Sequence, residues 1–410
     1  MSSHKTIVLV ILALCIQMIF VPSLASDYVL DIFGNANMDD VINEDDIVYV
    51  EGIIGGSNEA TDLADANMDG RVDENDIAQI EQIIRGEESE LSLIDTANRT
   101  VTLKMPVERI ITITGDSAEA LRVLHATDKI VGVSVDTLED EAYFSEFSQM
   151  DNVGKWSEPD FEKIFELEPD LIIAYMSSGP KYIEPKIQGT SISLVSLDLY
   201  RADDMRKEMM TLGYIVGKTA EAERYIELFD AVVDAVNERI SQIPTESRTR
   251  VYLEGYSDLK TYTKGKGGDV ACTMAGGVNI ASDLEGSYPE VDSEWVMIQN
   301  PDVIVRLTAP SEMPCGYAFD DPSNFVAKRE EIMKRTGWDH IKAVEDERVY
   351  MLLYEFGASP GVPVTIAYMA KWFYPDLFPE LDPKRMHREY LDLQGLDYDL
   401  STHGVFAYPS

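Results

Sequence analysis

Two oxygen-rich loops near the start of the chain have the residue types and spacing that bind a calcium ion. They begin thirty residues apart, and each has an oxygen-bearing side chain at loop positions 1, 3, 5, 9 and 12. A main-chain carbonyl at position 7 would complete an all-oxygen ligand set, which this hard cation prefers. The alternative interpretation of each loop is an acidic turn that is merely solvated. The predicted Ca²⁺ ligands are Asn35, Asn37, Asp39, Val41, Asn43 and Asp46 in loop one, and Asp65, Asn67, Asp69, Arg71, Asp73 and Asp76 in loop two.

The two loops differ in charge and in the residue at the sharp turn. Loop two has four carboxylates among its predicted ligands, whereas loop one has two. Loop two also has Gly70 at position 6, where a positive φ is expected, and loop one has Asp40 there, which adopts that conformation at some cost. We therefore expect both loops to bind Ca²⁺ and loop two to bind it more tightly.

The paired loops, each followed by an apolar helical stretch, resemble a type I dockerin over about residues 31–86. The resemblance implies a small all-α module at residues 27–90 that binds two Ca²⁺ ions and attaches to a cohesin-bearing surface protein. An acidic run at residues 87–90 marks the expected linker to the rest of the chain. The module has 19 acidic and two basic residues, and the whole chain has a net charge of −40. This charge argues against nucleic acid as a partner.

The first 25 residues have the organisation of a cleaved signal peptide. A nearly continuous apolar run covers residues 7–21, and a small-x-small cleavage signal follows at residues 23–25. The run is short for a membrane span, which takes about 20 residues, and an uncleaved N-terminal anchor is the alternative. We expect a secreted protein at the cell surface or in a periplasm-like space. The mature chain would keep Cys272 and Cys315, and the sequence does not show whether they form a disulfide.

Residues 91–410 contain short apolar runs that alternate with helical stretches, which is typical of an α/β fold with parallel sheets. A long amphipathic helix at about residues 219–243 interrupts this alternation. We therefore predict two α/β lobes, an N-lobe at residues 91–218 and a C-lobe at residues 244–410, joined by that helix. The predicted strands are residues 109–114, 130–135, 171–174, 193–196, 251–254, 303–307 and 349–353.

One sequence pattern occurs once in each lobe, and we call it the Pro-Asp phrase. It consists of a glutamate, a helical stretch, a Pro-Asp pair and an apolar strand. It begins at Glu162 and at Glu294. Together with residues 95–111, 276–279 and 370–378, it resembles the periplasmic iron-chelate and cobalamin binding proteins, which are solute-binding proteins of ABC importers. The resemblance implies two Rossmann-like lobes with the ligand between them, as in class III solute-binding proteins. It also implies that Glu162 and Glu294 dock on the ABC permease, and their alternative role is a favourable charge at a helix N-terminus.

The cleft between the lobes should lie at the carboxyl ends of the strands, where aromatic residues are frequent. Flat rings with a polar edge suit a bulky ligand, and the alternative for each ring is a place in the core or at the rim. Arg306 ends a predicted strand and is a candidate partner for an anionic chelate, with a salt bridge as its alternative. The predicted ligand-binding residues are Trp156, Tyr175, Tyr256, Tyr262, Tyr288, Arg306, Tyr317 and Tyr354.

These features predict a protein that captures a small-molecule metal chelate, with an iron-siderophore chelate as the first interpretation. Cobalamin, another corrinoid or haem is the alternative within the same family. A cohesin-tethered extracellular enzyme is the alternative of another class, and a surface interaction protein without a ligand is a further one. We expect no enzyme, because the large domain has the pattern of a two-lobed binding protein and not that of a hydrolase barrel.

Overall fold

The structure is a computed structural model that describes residues 28–409. The predicted signal peptide lies outside the described residues. The α-helices are α1 (Glu44–Ile54), α2 (Glu74–Arg85), α3 (Gly115–Val123), α4 (Val135–Glu139), α5 (Phe161–Glu166), α6 (Glu184–Ile187), α7 (Met205–Val216), α8 (Thr219–Ile240), α9 (Gly268–Met274), α10 (Ser293–Gln299), α11 (Ser323–Met333), α12 (Lys342–Glu345), α13 (Val362–Phe373) and α14 (Pro383–Leu393). The strands are β1 (Glu90–Ile94), β2 (Thr100–Lys104), β3 (Ile110–Thr112), β4 (Ile130–Val133), β5 (Asp151–Asn152), β6 (Gly154–Lys155), β7 (Glu158–Pro159), β8 (Leu171–Ala174), β9 (Ser193–Ser196), β10 (Arg250–Glu254), β11 (Val278–Asn279), β12 (Val303–Thr308), β13 (Val349–Leu353) and β14 (Ala407–Tyr408).

Each lobe is built on one five-stranded sheet. The N-lobe sheet has the order β5-β4-β3-β8-β9, and all of its pairs are parallel. The C-lobe sheet has the order β11-β10-β12-β13-β14, in which only β14 is antiparallel to its neighbour. All seven predicted strands form within two residues of their expected bounds. The prediction of a two-lobed α/β fold is therefore confirmed.

The aspartates of the repeated Pro-Asp phrase fix the start of a neighbouring strand in their own lobes. The Asp170 carboxylate accepts hydrogen bonds from the N–H groups of Glu108 and Arg109, at 3.0 and 2.9 Å. The Asp302 carboxylate accepts one from the Arg250 N–H at 2.9 Å. These contacts satisfy backbone donors at the points where β3 and β10 begin, so the phrase sets the register of both sheets.

Helix α8 connects the two lobes and packs against both of them. It has 22 residues, and its buried face includes Tyr225, Phe229 and Val236. It contacts α3 and α7 of the N-lobe, and α9, α13 and α14 of the C-terminal half. The Tyr225 hydroxyl donates to the Pro360 carbonyl at 2.7 Å, close to the gap between the lobes.

The calcium-loop module packs against the N-lobe instead of standing apart on a linker. Its residues Leu30, Ile32 and Ile42 belong to one continuous buried cluster with Leu91 and Leu93 of β1. An isolated β-bridge joins Ile32 to Leu93. The main chain on either side of this bridge is also paired, by Phe33 N–H to Ser92 O (2.9 Å) and by Ile94 N–H to Asp31 O (2.8 Å).

The expected linker at residues 87–90 is a short connection whose main chain is hydrogen-bonded at both ends. Strand β1 begins at Glu90, four residues after the C-cap Gly86 of α2. Glu87 N–H donates to Gln82 O, and Met105 N–H donates to Ser89 O, both at 2.9 Å. Of the acidic side chains that marked the linker, Glu87 and Glu90 are exposed, whereas Glu88 is half-buried.

Helix α7 makes the polar contacts between the module and the N-lobe. The Ile42 N–H, at loop position 8, donates to the buried Tyr214 hydroxyl at 2.9 Å. The Lys207 ammonium lies 2.9 Å from the Asp31 carboxylate. A buried backbone donor without a partner is costly, so Tyr214 ties the position of loop one to the N-lobe.

We predict that Tyr214→Phe lowers the free energy of unfolding by about 1–3 kcal/mol, because it leaves the buried Ile42 N–H without an acceptor. Urea denaturation followed by circular dichroism measures this loss. Tyr49→Phe in the same module is the matched control, because within residues 28–409 the Tyr49 hydroxyl makes no hydrogen bond, and it should change stability little. An equal effect of both substitutions would contradict the role given to Tyr214.

Candidate functional site

A cavity of about 1010 Å³ lies between the two lobes. Its walls are the segments that follow the carboxyl ends of β3, β4, β8 and β9 in the N-lobe and of β10 and β13 in the C-lobe. In parallel sheets, ligands bind at this edge. The volume is at the upper end of the range for small-molecule sites, about 300–1,000 Å³. The cavity therefore suits a large ligand.

Aromatic rings line both walls and touch one another, edge to face in every pair described here except Tyr262 with Tyr354, which are stacked. On the N-lobe wall, the ring centre of Tyr175 lies 6.4 Å from that of Trp156 and 5.1 Å from that of Tyr200. On the C-lobe wall, four tyrosines form a chain of ring contacts with centre-to-centre distances of 5.4–5.8 Å, namely Tyr256, Tyr354, Tyr262 and Tyr288. Such contacts hold the rings in place and leave their remaining faces available to a ligand.

One stacked pair of rings joins the two lobes at the cavity. Tyr143 of the N-lobe and Tyr317 of the C-lobe are nearly parallel, with an interplanar angle of 7° and centres 4.4 Å apart. Both line the cavity. The Tyr317 hydroxyl is within 2.9 Å of the buried His387 Nε2, and Phe356 packs edge-on against the same ring. This stack is a direct contact between the lobes.

Ring exposure distinguishes the mouth of the cavity from its depth. Tyr288, Tyr256 and Trp156 are 59%, 45% and 42% exposed, whereas Tyr262 and Tyr354 are buried. A ligand that enters would first meet the exposed rings, which bury the most surface on binding.

Seven of the eight predicted ligand-binding residues line the cavity, and Arg306 does not. The Arg306 guanidinium is fully buried and bonds to Glu254 at 2.9 Å, to the Tyr256 carbonyl at 2.7 Å and to Glu312. Its charge is therefore neutralised inside the C-lobe, and the expected pairing with an anionic chelate is wrong. Its position at the end of β12 suggested the cleft, but the side chain turns into the protein.

Five carboxyl groups in the cavity were missed by the sequence analysis. They are Asp116, Glu119, Asp136, Asp140 and Glu355. Three of them, Asp116, Asp136 and Glu355, come one or two residues after the carboxyl end of a predicted strand, which is the signal that selected the aromatic residues. In a chain with 74 acidic residues, that signal was too common to use.

Two of these carboxyl groups bond to tyrosine hydroxyls. Tyr175 donates to Asp116, and Tyr143 donates to Glu119 at 2.6 Å, as does Tyr390. Burial, together with the charges of Glu119 and Asp198, raises the pKa of Asp116 well above its ordinary value. Burial followed by the charges of Asp140 and Glu119 raises the pKa of Glu355 to about 8. Asp116 and Glu355 thus lie in the cavity without a counter-charge.

The two predicted docking glutamates are exposed and occupy equivalent places in the two lobes. Glu162 lies in the first turn of α5 behind the N-cap Asp160, and Glu294 lies in the first turn of α10 behind the N-cap Asp292. Within residues 28–409, neither carboxylate forms an ion pair. The aspartates perform the capping, so the glutamates are not needed for that purpose.

Calcium loop two has the internal hydrogen bonds of a cation-binding loop. Asp65 accepts from the N–H groups of Asp69 (3.1 Å) and Gly70 (2.8 Å), and Gly70 has φ +88°. Asp76 accepts from Asn67 N–H and Asp73 N–H at 3.2 and 2.8 Å. These bonds turn the oxygen-bearing side chains toward the inside of the loop, and the donor set fits Ca²⁺.

Loop one has a less favourable Ca²⁺ ligand at its first position than loop two. The Asn35 Oδ1 accepts from Asp39 N–H at 3.1 Å, but its Nδ2 donates to the carbonyls of Leu30 (2.8 Å) and Asp39 (2.6 Å). One of the two side-chain atoms at position 1 is thus a donor, which a cation cannot use. Asp40 does not adopt the positive φ expected at position 6. Among the described residues, no group of three or more His, Cys, Asp and Glu side chains is gathered as a metal site, and both Ca²⁺ sites stay predictions.

Comparison with known proteins places this architecture in a family. The model of the periplasmic binding protein family matches residues 110–353, which is more than half of the chain. The chain belongs to the periplasmic binding protein family.

Relatives of this periplasmic binding protein are also binding proteins. It is 23% identical over 297 residues to YvrC, an ABC transporter substrate-binding lipoprotein of Bacillus subtilis, covering 71% of this chain and 87% of that one. It is 29% identical over 244 residues to a cobalamin-binding protein of Halobacterium salinarum, covering 57% of this chain and 63% of that one. The chain is therefore a substrate-binding protein of the ABC transporter type, in line with the expected absence of an enzyme.

The fold is also similar to solved structures. The TroA-like periplasmic binding protein FepB of Veillonella parvula superimposes with a TM-score of 0.65 at 24% identity, and the match covers 77% of this chain and 98% of that one. The unmatched part of this chain has roughly the length of the predicted signal peptide and calcium-loop module together. None of the helices in residues 28–409 is both long enough and apolar enough to cross a membrane. The periplasmic family and the lipoprotein relative fit the predicted location outside the cytoplasm. Cys272 and Cys315 are both buried and unpaired in this periplasmic binding protein.

We predict that Glu355→Gln makes stability less dependent on pH. The folded pKa of about 8 lies above the ordinary value of 4.5. Folding therefore favours the protonated carboxyl group. The stability that Glu355 contributes is present in full below about pH 4.5 and is lost as pH rises through about 8. Melting temperatures measured from pH 4.5 to 8.5 should fall less steeply for the variant than for the wild type. Glu285→Gln, at an exposed site outside the cavity, is the control, and parallel curves for Glu355→Gln and the wild type would contradict the prediction.

Proposed function

We propose that this protein captures a corrinoid of the cobalamin type outside the cytoplasm and delivers it to an ABC permease. The observation that carries the proposal is the composition of the cavity wall. Eight tyrosines and one tryptophan line it, and its lining contains one lysine and no arginine. A wide, flat, amide-bearing ring system matches such walls, because tyrosine offers both a face for packing and a hydroxyl for hydrogen bonding.

An anionic iron-siderophore chelate fits this wall less well. It would meet five carboxyl groups and a single ammonium group, that of Lys260. Recognition of anionic ligands relies on arginine and lysine, and Arg306 is already neutralised by glutamates. The cobalamin-binding protein of Halobacterium salinarum, with 29% identity, supports the corrinoid interpretation over the siderophore.

Absorbance spectroscopy and native mass spectrometry test this function directly. The purified protein is incubated with cyanocobalamin, haem or a ferric siderophore and then separated from free ligand. A retained corrinoid spectrum with a 1:1 mass shift is expected. A retained Soret band or a ferric-chelate band without corrinoid binding would instead select one of the other two ligands.

Trp156→Ala should weaken corrinoid binding about tenfold or more, because the exposed ring at the mouth would lose roughly 1.5 kcal/mol of packing on the ligand. Phe165→Ala is the matched control. Both rings belong to the N-lobe and both are 42% exposed, but Phe165 lies on α5 outside the cavity. Isothermal titration calorimetry measures the two affinities, and equal losses would remove Trp156 from the site.

We also propose that Glu162 and Glu294 dock the lobes on the permease. Their exposure, lack of ion pairs and equivalent placement support this role. Glu162→Ala combined with Glu294→Ala should abolish uptake in cells while the ligand affinity of the purified protein stays unchanged. Glu158→Ala combined with Glu290→Ala replaces two exposed glutamates, each four residues earlier in the sequence, and should retain uptake. A fall in affinity for the first pair would move those glutamates into the ligand site.

We further propose that residues 28–86 bind Ca²⁺ in both loops and attach to a cohesin-bearing partner, as the resemblance to dockerins implies. The Gly70 turn and the acceptor-only Asp65 support tighter binding in loop two. Asp46→Ala and Asp76→Ala each remove the position 12 carboxylate of one loop. Calcium titration should give the higher affinity for the Asp46→Ala protein, which retains loop two. Equal affinities, or no Ca²⁺ binding by the wild type, would contradict the proposal.

A further inference from the structure

The charge of the cavity is strongly one-sided. Four carboxyl groups belong to the N-lobe and one, Glu355, belongs to the C-lobe, while Lys260 supplies the single ammonium group of the lining. None of the five carboxyl groups takes part in an ion pair within residues 28–409. The acidity of the chain as a whole does not account for this arrangement, because surface carboxylates are screened by water and salt, whereas these groups face one shared, partly enclosed space.

A second basic side chain, Arg122, is already committed elsewhere. Arg122 is buried behind the cavity wall and is held 2.9 Å from the Glu146 carboxylate and 2.6 Å from the Tyr143 carbonyl. Its guanidinium also lies over the Tyr143 ring, 4.1 Å from the centre. It partly offsets Glu119. Arg122 leaves Asp116 and Glu355 without a cation of their own.

Titration of the wall points in the same direction. Burial raises the pKa values of Asp116 and Glu355, and neighbouring carboxylates raise them further. A cation that entered the cavity would favour the ionised form of both groups and so lower these pKa values.

The aromatic rings favour a cation as well. The negative face of a tyrosine ring attracts positive charge, and the attraction grows when water is excluded. The N-lobe ring Tyr175 donates its hydroxyl to Asp116, and both residues line the cavity, so a ring and a carboxyl group face the same space. Both elements of the wall therefore select for the same sign of charge.

We propose that the cavity selects a positively charged ligand and, among corrinoids, prefers one that lacks the nucleotide phosphate. This inference rests on the proposed corrinoid function. A corrinoid without the nucleotide loop keeps the positive charge of the cobalt centre and the amide groups of the ring edge, which donate to carboxyl groups. The complete cobalamin carries in addition a phosphodiester, whose negative charge faces repulsion from Asp136 and Asp140.

Three corrinoids of the same ring type but different charge test the selection. They are aquocyanocobinamide, which is cationic, cyanocobalamin, which is neutral overall, and a monocarboxylic acid derivative of cyanocobalamin, which is anionic. Calorimetric titration of the full chain should give affinities in that order, with at least a tenfold gap between the first two. The gap should shrink when the salt concentration is raised from 50 to 500 mM, because salt screens charge.

Variants of the wall show whether its carboxyl groups produce the preference. Asp136→Asn combined with Asp140→Asn should reduce the cobinamide preference about threefold or more, because the loss of both charges weakens the binding of the cation and removes the repulsion of the phosphodiester. Glu139→Gln combined with Glu141→Gln removes two charges from the same segment, but neither residue lines the cavity. This control pair should keep the wild-type preference.

The outcomes separate the inference from the function on which it rests. Similar affinities for all three corrinoids, or tighter binding of the anionic one, would overturn the charge selection and leave the corrinoid function intact. Absence of binding for all three would overturn both. A preference that both variant pairs reduce equally would show that overall charge, and not the cavity wall, produces it, which would also overturn the inference.

Discussion

The common direction of the parallel strands is the constraint on which the binding site depends. Because every strand of a parallel sheet ends at the same edge, the residues after β3, β4, β8 and β9 meet on one wall, and those after β10 and β13 meet on the other. Asp170 and Asp302 make this arrangement reliable by capping the points where β3 and β10 begin. Helix α8 then holds the two edges opposite each other. The large cavity follows from strand polarity and one rigid connection, without any special loop.

Much of the fold could be predicted from the sequence because it follows from local patterns. Buried parallel strands are short apolar runs, and the long helix has a continuous apolar stripe that ends before Pro244. The hairpin β1–β2 and the last strand β14 were not predicted. Strand β2 has only one fully buried residue, and β14 has two residues, so neither shows a clear period. Contacts that are distant in sequence, such as Ile42 with Tyr214, leave no local signal at all.

The site was predictable in its aromatic part and not in its charge. Tyrosines after strand ends are rare enough to stand out, and those selected do reach the cavity. Carboxylates are so frequent in this chain that position alone could not select Asp116 or Glu355. The position of Arg306 near a strand end suggested the cleft, but the sequence did not show which way its side chain points. The side chain points into the C-lobe, because its guanidinium pairs with Glu254 on the adjacent strand. Tertiary partners decide which way a strand-end residue points.

The contact between the calcium-loop module and α7 has a mechanical consequence. The module is fixed on the N-lobe by three contacts. They are the shared core, the bridge from Ile32 to Leu93 and the hydrogen bond to Tyr214. A partner that binds the module would therefore also fix the orientation of the N-lobe, as a rigid attachment does and a flexible linker does not. Opening and closing would then fall to the C-lobe, which would swing against a stationary half.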